Sequence, residues 1–135
     1  MSLMEVSIHK KTVLLFIDSI NAHDVDGIVG FLADDHVFID AQDNEYKGKQ
    51  RMGESWAEYF VLFPDYTITV EDVLEQENTV AVFGYASATY KCLRDPENFW
   101  RLPAAWKGIV EKDKIKVWQV YADYALILDI IEKNK

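Results

Sequence analysis

Apolar and polar positions follow two different periods along this chain, and the change falls at Pro64. Before it, Val13, Phe16, Ile17 and Ile20 recur at helical spacing, with Lys10, Lys11, Asp18 and Asn21 elsewhere on the wheel. That pattern predicts an amphipathic helix over Ser7–Asn21 whose apolar face lies on a sheet. Asp24 is placed to cap a short second helix, Val25–Leu32, with Ile28, Val29 and Leu32 as its buried stripe. Ala33-Asp34-Asp35 reads as a turn, His36–Asp40 as a short strand, and the polar, aperiodic Ala41–Lys47 as a loop. Gly48 opens a third helix, on which Met52, Trp56, Tyr59, Phe60 and Phe63 share one face until Pro64 closes it.

After Pro64 the period becomes alternating. Tyr66–Leu74 and Thr79–Lys91 are predicted strands joined by the polar turn Glu75–Asn78. Cys92–Pro103 is polar and interrupted by proline, and reads as a long connection. Ala104–Lys112 and Ile115–Tyr124 make a last hairpin around Asp113 and Lys114, and Ala125–Glu132 a short closing helix. Helices first and consecutive antiparallel strands afterwards mean an α+β fold, with the helices stacked on one face of a curved sheet. In the final strand, simple alternation sends Ile115, Val117 and Tyr121 one way and Trp118, Val120, Ala122 and Tyr124 the other. Both faces are apolar, so each needs a cover. The chain's own helices supply one, and a second copy of the sheet the other, which predicts a homodimer through the outer, convex sheet face.

Composition narrows the partners. The 135 residues suffice for one domain, 1–135, and half of them are hydrophobic. Met1–Leu3, ahead of a second methionine, read as a remnant added for expression, outside that fold. A formal charge of −9 and a pI near 4.7 repel phosphate backbones and anionic lipid surfaces, so neither nucleic acid nor a membrane is an expected partner. Cys92 is the single cysteine, which excludes an internal disulfide and a sulfur-rich metal site and fits a reducing, cytoplasmic setting. His9, His23 and His36 lack metal-ligand spacing, no glycine-rich phosphate loop occurs, and Ser55 and Ser87 have no histidine partner visible in sequence. No metal and no cofactor is expected.

The run FIDSINAHDVDGIVGFLADDHVFID (Phe16–Asp40), followed by Gly48 and an aromatic helix, resembles the start of the nuclear transport factor 2-like superfamily. The ending KVWQVYADYALILDII (Lys116–Ile131) is similar to the last strand and tail of SnoaL-like polyketide cyclases. The resemblance implies a cone-shaped, curved, mixed but mainly antiparallel sheet, with three N-terminal helices on its concave face and a pocket between them open at one end. Phe16 and Ile20 from the first helix and Trp56, Tyr59, Phe60 and Phe63 from the third would wall it, joined by Trp106 and Trp118 if their strand faces point inward. Trp100, in the long connection, reads as a flap over the mouth or a dimer contact. Such a lining suits a small flat hydrophobic molecule, for example a polycyclic ketone or a terpenoid. The same aromatic stripe also reads as plain core.

Two acids are candidates for chemistry. Asp40 ends an apolar strand and matches the position that, in the ketosteroid isomerase branch, carries a proton between carbons; a dry pocket would bring its pKa closer to that of a carbon acid. The two oxyanion donors of that branch fall on Phe16 and within Ala105–Lys107, where this chain has neither hydroxyl nor acid, so true ketosteroid isomerase activity is not expected. Asp123 stands where SnoaL-like cyclases carry their acid/base aspartate. Alternation puts it opposite Trp118, so it reaches the pocket only past a bulge, and it is equally placed to cap the closing helix. No histidine lies on the central strands, and Arg94 and Asp95 are adjacent rather than alternating, unlike the epoxide-hydrolase branch. An isomerase, cyclase or dehydratase using Asp40 or Asp123 and a noncatalytic binding or dimerisation module both remain open, because this superfamily hosts many activities on one scaffold.

Overall fold

Ser7 begins the first helix, α1 (Ile8–Asn21), by accepting a hydrogen bond from the Lys10 amide on its side chain. This is a computed structural model describing residues 7–135, so the proposed expression remnant Met1–Leu3 lies outside the described residues. Val13, Phe16, Ile17 and Ile20 are the buried face of α1, as their spacing requires. At its end Asn21 acts like a strand residue: its amide donates to Ile68 O at 2.9 Å and accepts from Ile68 N at 2.8 Å, which fixes the helix to the edge of the sheet. Asp24 caps α2 (Val25–Phe31) through the Gly27 amide. The chain then enters β1 (Leu32–Ile39) directly. The expected turn at Ala33–Asp35 lies instead within the strand, as an irregular stretch: Asp34 and Asp35 are exposed between the buried Leu32 and His36, and the pairing with the strand that carries Ile115 and Val117 shifts register between Leu32 and Val37. The expected loop likewise holds a short strand, β2 (Glu45–Lys47), antiparallel to β1.

Helix α3 (Lys49–Leu62) follows Gly48, whose φ of 98° is a conformation other residues rarely adopt. Four long strands remain: β3 (Thr67–Gln76), β4 (Thr79–Thr89), β5 (Phe99–Glu111) and β6 (Lys114–Tyr121), with α4 (Ala125–Lys133) closing the chain. The expected connection Cys92–Pro103 is shorter than predicted. Only its first part is irregular, with 3₁₀ turns at Tyr90–Cys92 and Pro96–Asn98, because Phe99–Pro103 pair with β4. The β5–β6 turn is Lys112-Asp113, both at positive φ (50° and 63°), the primed geometry that matches strand twist.

The six strands form one open mixed sheet in the order β2-β1-β6-β5-β4-β3, and only β1 and β6 run parallel. Helix α1 crosses the inner face of β3 to β6, and α3 covers β1 and β2. This is an α+β fold of the cystatin and nuclear transport factor 2-like type. A bulge at Lys116 corrects the simple alternation of the last strand: Val110 pairs with Ile115 but Ile109 with Val117, so Ile115 joins Trp118 and Val120 on the inner side. The outer side carries Val117, Gln119 and Tyr121 instead. Among the described residues no helix is long and apolar enough to cross a membrane.

His36 makes the fold pH-sensitive. It is 1% exposed, and its Nδ1 donates to Ile115 O at 2.8 Å, tying β1 to β6. Burial lowers its pKa below 6.5, although the Ile115 contact and the charge of Asp35 pull the other way. The neutral ring is thus favoured in the fold, and its contribution is complete above the unfolded value of about 6.5 and is lost as pH falls toward the folded one. Thermal melts at pH 7.5 and 5.5 are expected to show a loss of stability at the lower pH that shrinks in His36→Gln. An equal loss in that variant would remove His36 as the cause.

Candidate active site

Between α3 and the inner face of β1, β6 and β5 the structure leaves a half-open hollow of about 330 Å³. Trp56 and Tyr59, with Met52 and Ser55, line it from α3, and Trp106, Trp118 and Val120 from β5 and β6; Phe38, Asp40, Gln42, Tyr46, Tyr66 and Tyr124 complete the lining. The volume is at the lower end of the range for small-ligand sites. Eight of the thirteen lining residues are aromatic, and Asp40 is the one formally charged group among them.

The expected wall and this one overlap in part. Trp56, Tyr59, Trp106 and Trp118 face the hollow. Phe16, Ile20, Phe60, Phe63 and Trp100 do not, and each has a packing reason. Phe16 sits edge-on between Phe31 and Trp118, and Ile20 is fully buried in the same layer. Phe60 stacks on His23, at 4.3 Å between ring centroids, and His23 in turn contacts the Tyr66 carbonyl at 2.7 Å. Phe63 and Trp100 meet edge-to-face at 5.6 Å behind Tyr66, so Trp100 is core rather than a flap over the mouth. The indole N–H of Trp100 is enclosed without a partner among the described residues, a cost of about 1–3 kcal/mol.

The two acids part company. Strand β6 stops at Tyr121, and the exposed Asp123 accepts from the Ala125 amide at 3.0 Å, holding the first turn of α4. It does not line the hollow. Asp40 does, and it is held firmly. Its Oδ1 accepts from the amides of Gln42 and Asn44, both at 2.9 Å, and its Oδ2 from the Asn44 side-chain amide at 3.2 Å and the Tyr46 hydroxyl at 3.1 Å. The stretch after β1 is therefore a turn wound around one carboxylate. Partial desolvation raises the Asp40 pKa, but the bonds from Asn44, Gln42 and Tyr46 outweigh it and leave the net value below 3.8. This overturns the expectation of a carboxyl lifted by a dry pocket. Asp40 is instead a permanent anion at the rim, and it pushes the Tyr46 hydroxyl up.

The feature missed in the sequence is a group of phenols. Tyr59 and Tyr66 pack edge-to-face at 5.1 Å, and Tyr124 joins them from the start of α4. Burial pushes Tyr59 and Tyr66 well above the ordinary tyrosine value and Tyr124 up to about 12; repulsion from neighbouring phenols adds to the rise of Tyr59 and Tyr66, whereas at Tyr124 the Tyr59 hydroxyl pulls down and the charge of Asp40 pushes up. All three stay neutral at physiological pH. The Tyr59 hydroxyl is enclosed and lacks a partner of proper hydrogen-bond geometry among the described residues, with Tyr124 beside it. A sequence signal existed for Tyr124, since it shares strand parity with Trp118 and Val120, but Tyr66 lies between two elements and carries no period. Among the described residues no cluster of histidine, cysteine and carboxylate side chains could hold a metal ion.

With this geometry in place, similarity to known proteins fixes the family. The SnoaL-like domain model matches residues 13–118, and the chain belongs to that family. Solved structures agree in fold. A protein of Catenulispora acidiphila with a ketosteroid isomerase-like fold, determined with trimethylamine, superposes with a TM-score of 0.78 at 13% identity over 88% of this chain and 90% of its own. An LEH-like epoxide hydrolase of M. tuberculosis gives 0.79 at 14% identity over 96% and 92%. An uncharacterised cystatin-fold protein of Novosphingobium aromaticivorans gives 0.74 at 18% identity over 83% and 96%. No curated protein matches significantly. At such identities the likeness concerns the fold alone.

Proposed function

We propose that this chain is a small-molecule enzyme of the isomerase, cyclase or dehydratase kind, which holds a hydrophobic ring-bearing ligand in the aromatic hollow and uses Asp40 as its general acid/base. One observation carries the reading: the hollow's single charged lining group is a carboxylate kept ionised at its rim, beside walls that are mostly aromatic. A base so stabilised is weak, so it suits only carbon acids already activated by a neighbouring carbonyl or leaving group. Asp123, tied to the first turn of α4, is left with a capping role. A panel of terpenoid and polycyclic ketones, followed by tryptophan fluorescence and by product analysis, tests this. Saturable binding with multiple turnovers supports it, whereas tight binding without turnover favours a noncatalytic ligand holder, which the strong hydrogen bonding of Asp40 also accommodates.

The same reading includes a homodimer through the outer sheet face. Supporting it, Tyr121, Ala105 and Phe83 lie side by side across β6, β5 and β4, with Tyr121 50% and Phe83 41% exposed, and Val117 pairs with Ile109 on the same face beyond the polar row of Lys107 and Gln119. Sedimentation at micromolar concentration is expected to give twice the 15.6 kDa of the chain, and Phe83→Glu with Tyr121→Glu to give the single mass. A wild-type monomer would end the dimer proposal without touching the pocket.

A further inference from the structure

The hollow combines aromatic rings with one full negative charge and no positive one. Phe38, Trp56, Trp106 and Trp118 line it together with Asp40, and the lining holds no lysine, arginine or histidine. Its rings are not stacked in parallel: Trp56 meets Tyr59 at 83° and Tyr66 at 47°, so aromatic surface bounds the space from several directions. Arg51 lies over the Tyr46 ring at 5.2 Å, but it is exposed and takes no part in the lining. The face of an aromatic ring carries negative potential and attracts a cation, indole most strongly. An anionic ligand would be repelled by Asp40, and a neutral one would leave its charge unanswered.

The hydrogen bonding of Asp40 selects the kind of cation. Oδ1 already accepts from the amides of Gln42 and Asn44, and Oδ2 from the Asn44 side chain and the Tyr46 hydroxyl, which uses the four lone-pair positions of a carboxylate. A primary ammonium must displace one of these bonds before its own N–H groups are satisfied there. A quaternary ammonium has no N–H and needs only the charge. That charge extends beyond the turn, since it adds to burial in keeping the Tyr124 hydroxyl neutral. Resting on the hollow as the ligand pocket of the proposed function, but not on proton transfer by Asp40, we propose that it binds a quaternary ammonium group, with the methylated head against Phe38 and the three tryptophans and Asp40 as counter-ion. The open side leaves room for whatever carries the head. The net charge of −9 raises the local concentration of such a ligand without selecting it.

The test uses three probes: choline; its neutral isostere, in which a tert-butyl group replaces the trimethylammonium head; and ethanolamine, which keeps the charge but carries N–H groups. Proton NMR titration is expected to give about tenfold tighter binding of choline than of the isostere. The choline methyl resonance should move upfield, because ring currents shield protons held over aromatic faces. Ethanolamine should bind more weakly than choline. Asp40→Asn should bring choline down to the affinity of the isostere, and Phe38→Leu should weaken choline by about threefold and the isostere by less. An undiminished preference in Asp40→Asn would mean that the overall charge, not this carboxylate, attracts the cation, and would overturn the assignment. Ethanolamine binding as tightly as choline, equal affinity for choline and its isostere, or Phe38→Leu weakening both alike would also overturn it. An isostere that still binds in those cases leaves the apolar pocket standing. Binding of no probe at high millimolar concentration overturns the cation site alone, because the ketone panel reads the proposed enzyme separately.

Discussion

Asp40→Asn is expected to cut turnover by about 10²- to 10⁴-fold on any substrate the hollow accepts, the range for removing a positioned general base. The exchange keeps the shape. An asparagine Oδ1 still accepts from the Gln42 and Asn44 amides, and only the Oδ2 bonds to the Asn44 side chain and Tyr46 must rearrange. Fold stability should therefore fall by no more than about 1 kcal/mol. Asp123→Asn is the control, because its carboxylate serves the Ala125 amide in the open and should leave turnover within about threefold. The pH profile gives a second handle. With its pKa held below 3.8, Asp40 stays ionised through pH 5, so kcat/KM should show no acid limb between pH 7 and 5 while the fold persists. Unchanged turnover in Asp40→Asn, or an acid limb near pH 6, would remove Asp40 as the base.

Gly84→Ala should produce the largest loss of stability, about 3 kcal/mol and a Tm lower by roughly 10 °C. Gly84 lies in β4 between Val70 of β3 and Ala104 of β5, beside the irregularity that places Glu71 out of register. A Cβ there would stand 1.8 Å from the Thr69 carbonyl oxygen. That neighbour is backbone, so it has no rotamer to change, and relief requires β3 to move off β4. Differential scanning calorimetry reads the outcome directly. A Tm change under about 2 °C would show that the bulged strand yields at little cost.

The elements with long apolar periods were legible in the residues themselves. Val13, Phe16, Ile17 and Ile20 fix α1, and the alternation of Thr79–Thr89 fixes β4, because each pattern has one geometry that buries it. What stayed hidden depends on partners far along the chain. Ala33–Asp35 look like a turn until Leu32 is seen against Ile115, and Phe99–Pro103 look like loop until they lie beside β4. Pro103 itself pairs with Tyr85 in the strand, against its usual meaning as an interruption. The site was half legible. Strand parity puts Trp106 and Trp118 inward, but helical spacing alone could not separate Trp56 and Tyr59, which meet the hollow, from Phe60 and Phe63, which meet His23 and Trp100. The hydrogen bonds that lower the Asp40 pKa come from a polar stretch with no period at all.

The one parallel pair in the sheet joins Phe38 to Trp118, 80 residues further along the 135-residue chain. A growing polypeptide would thus emerge from the ribosome with its helical half already made but with no floor to rest on. The aromatic chamber and its acid rim can close only when the penultimate element arrives, so slow, late acquisition of binding competence is built into the order of the sequence.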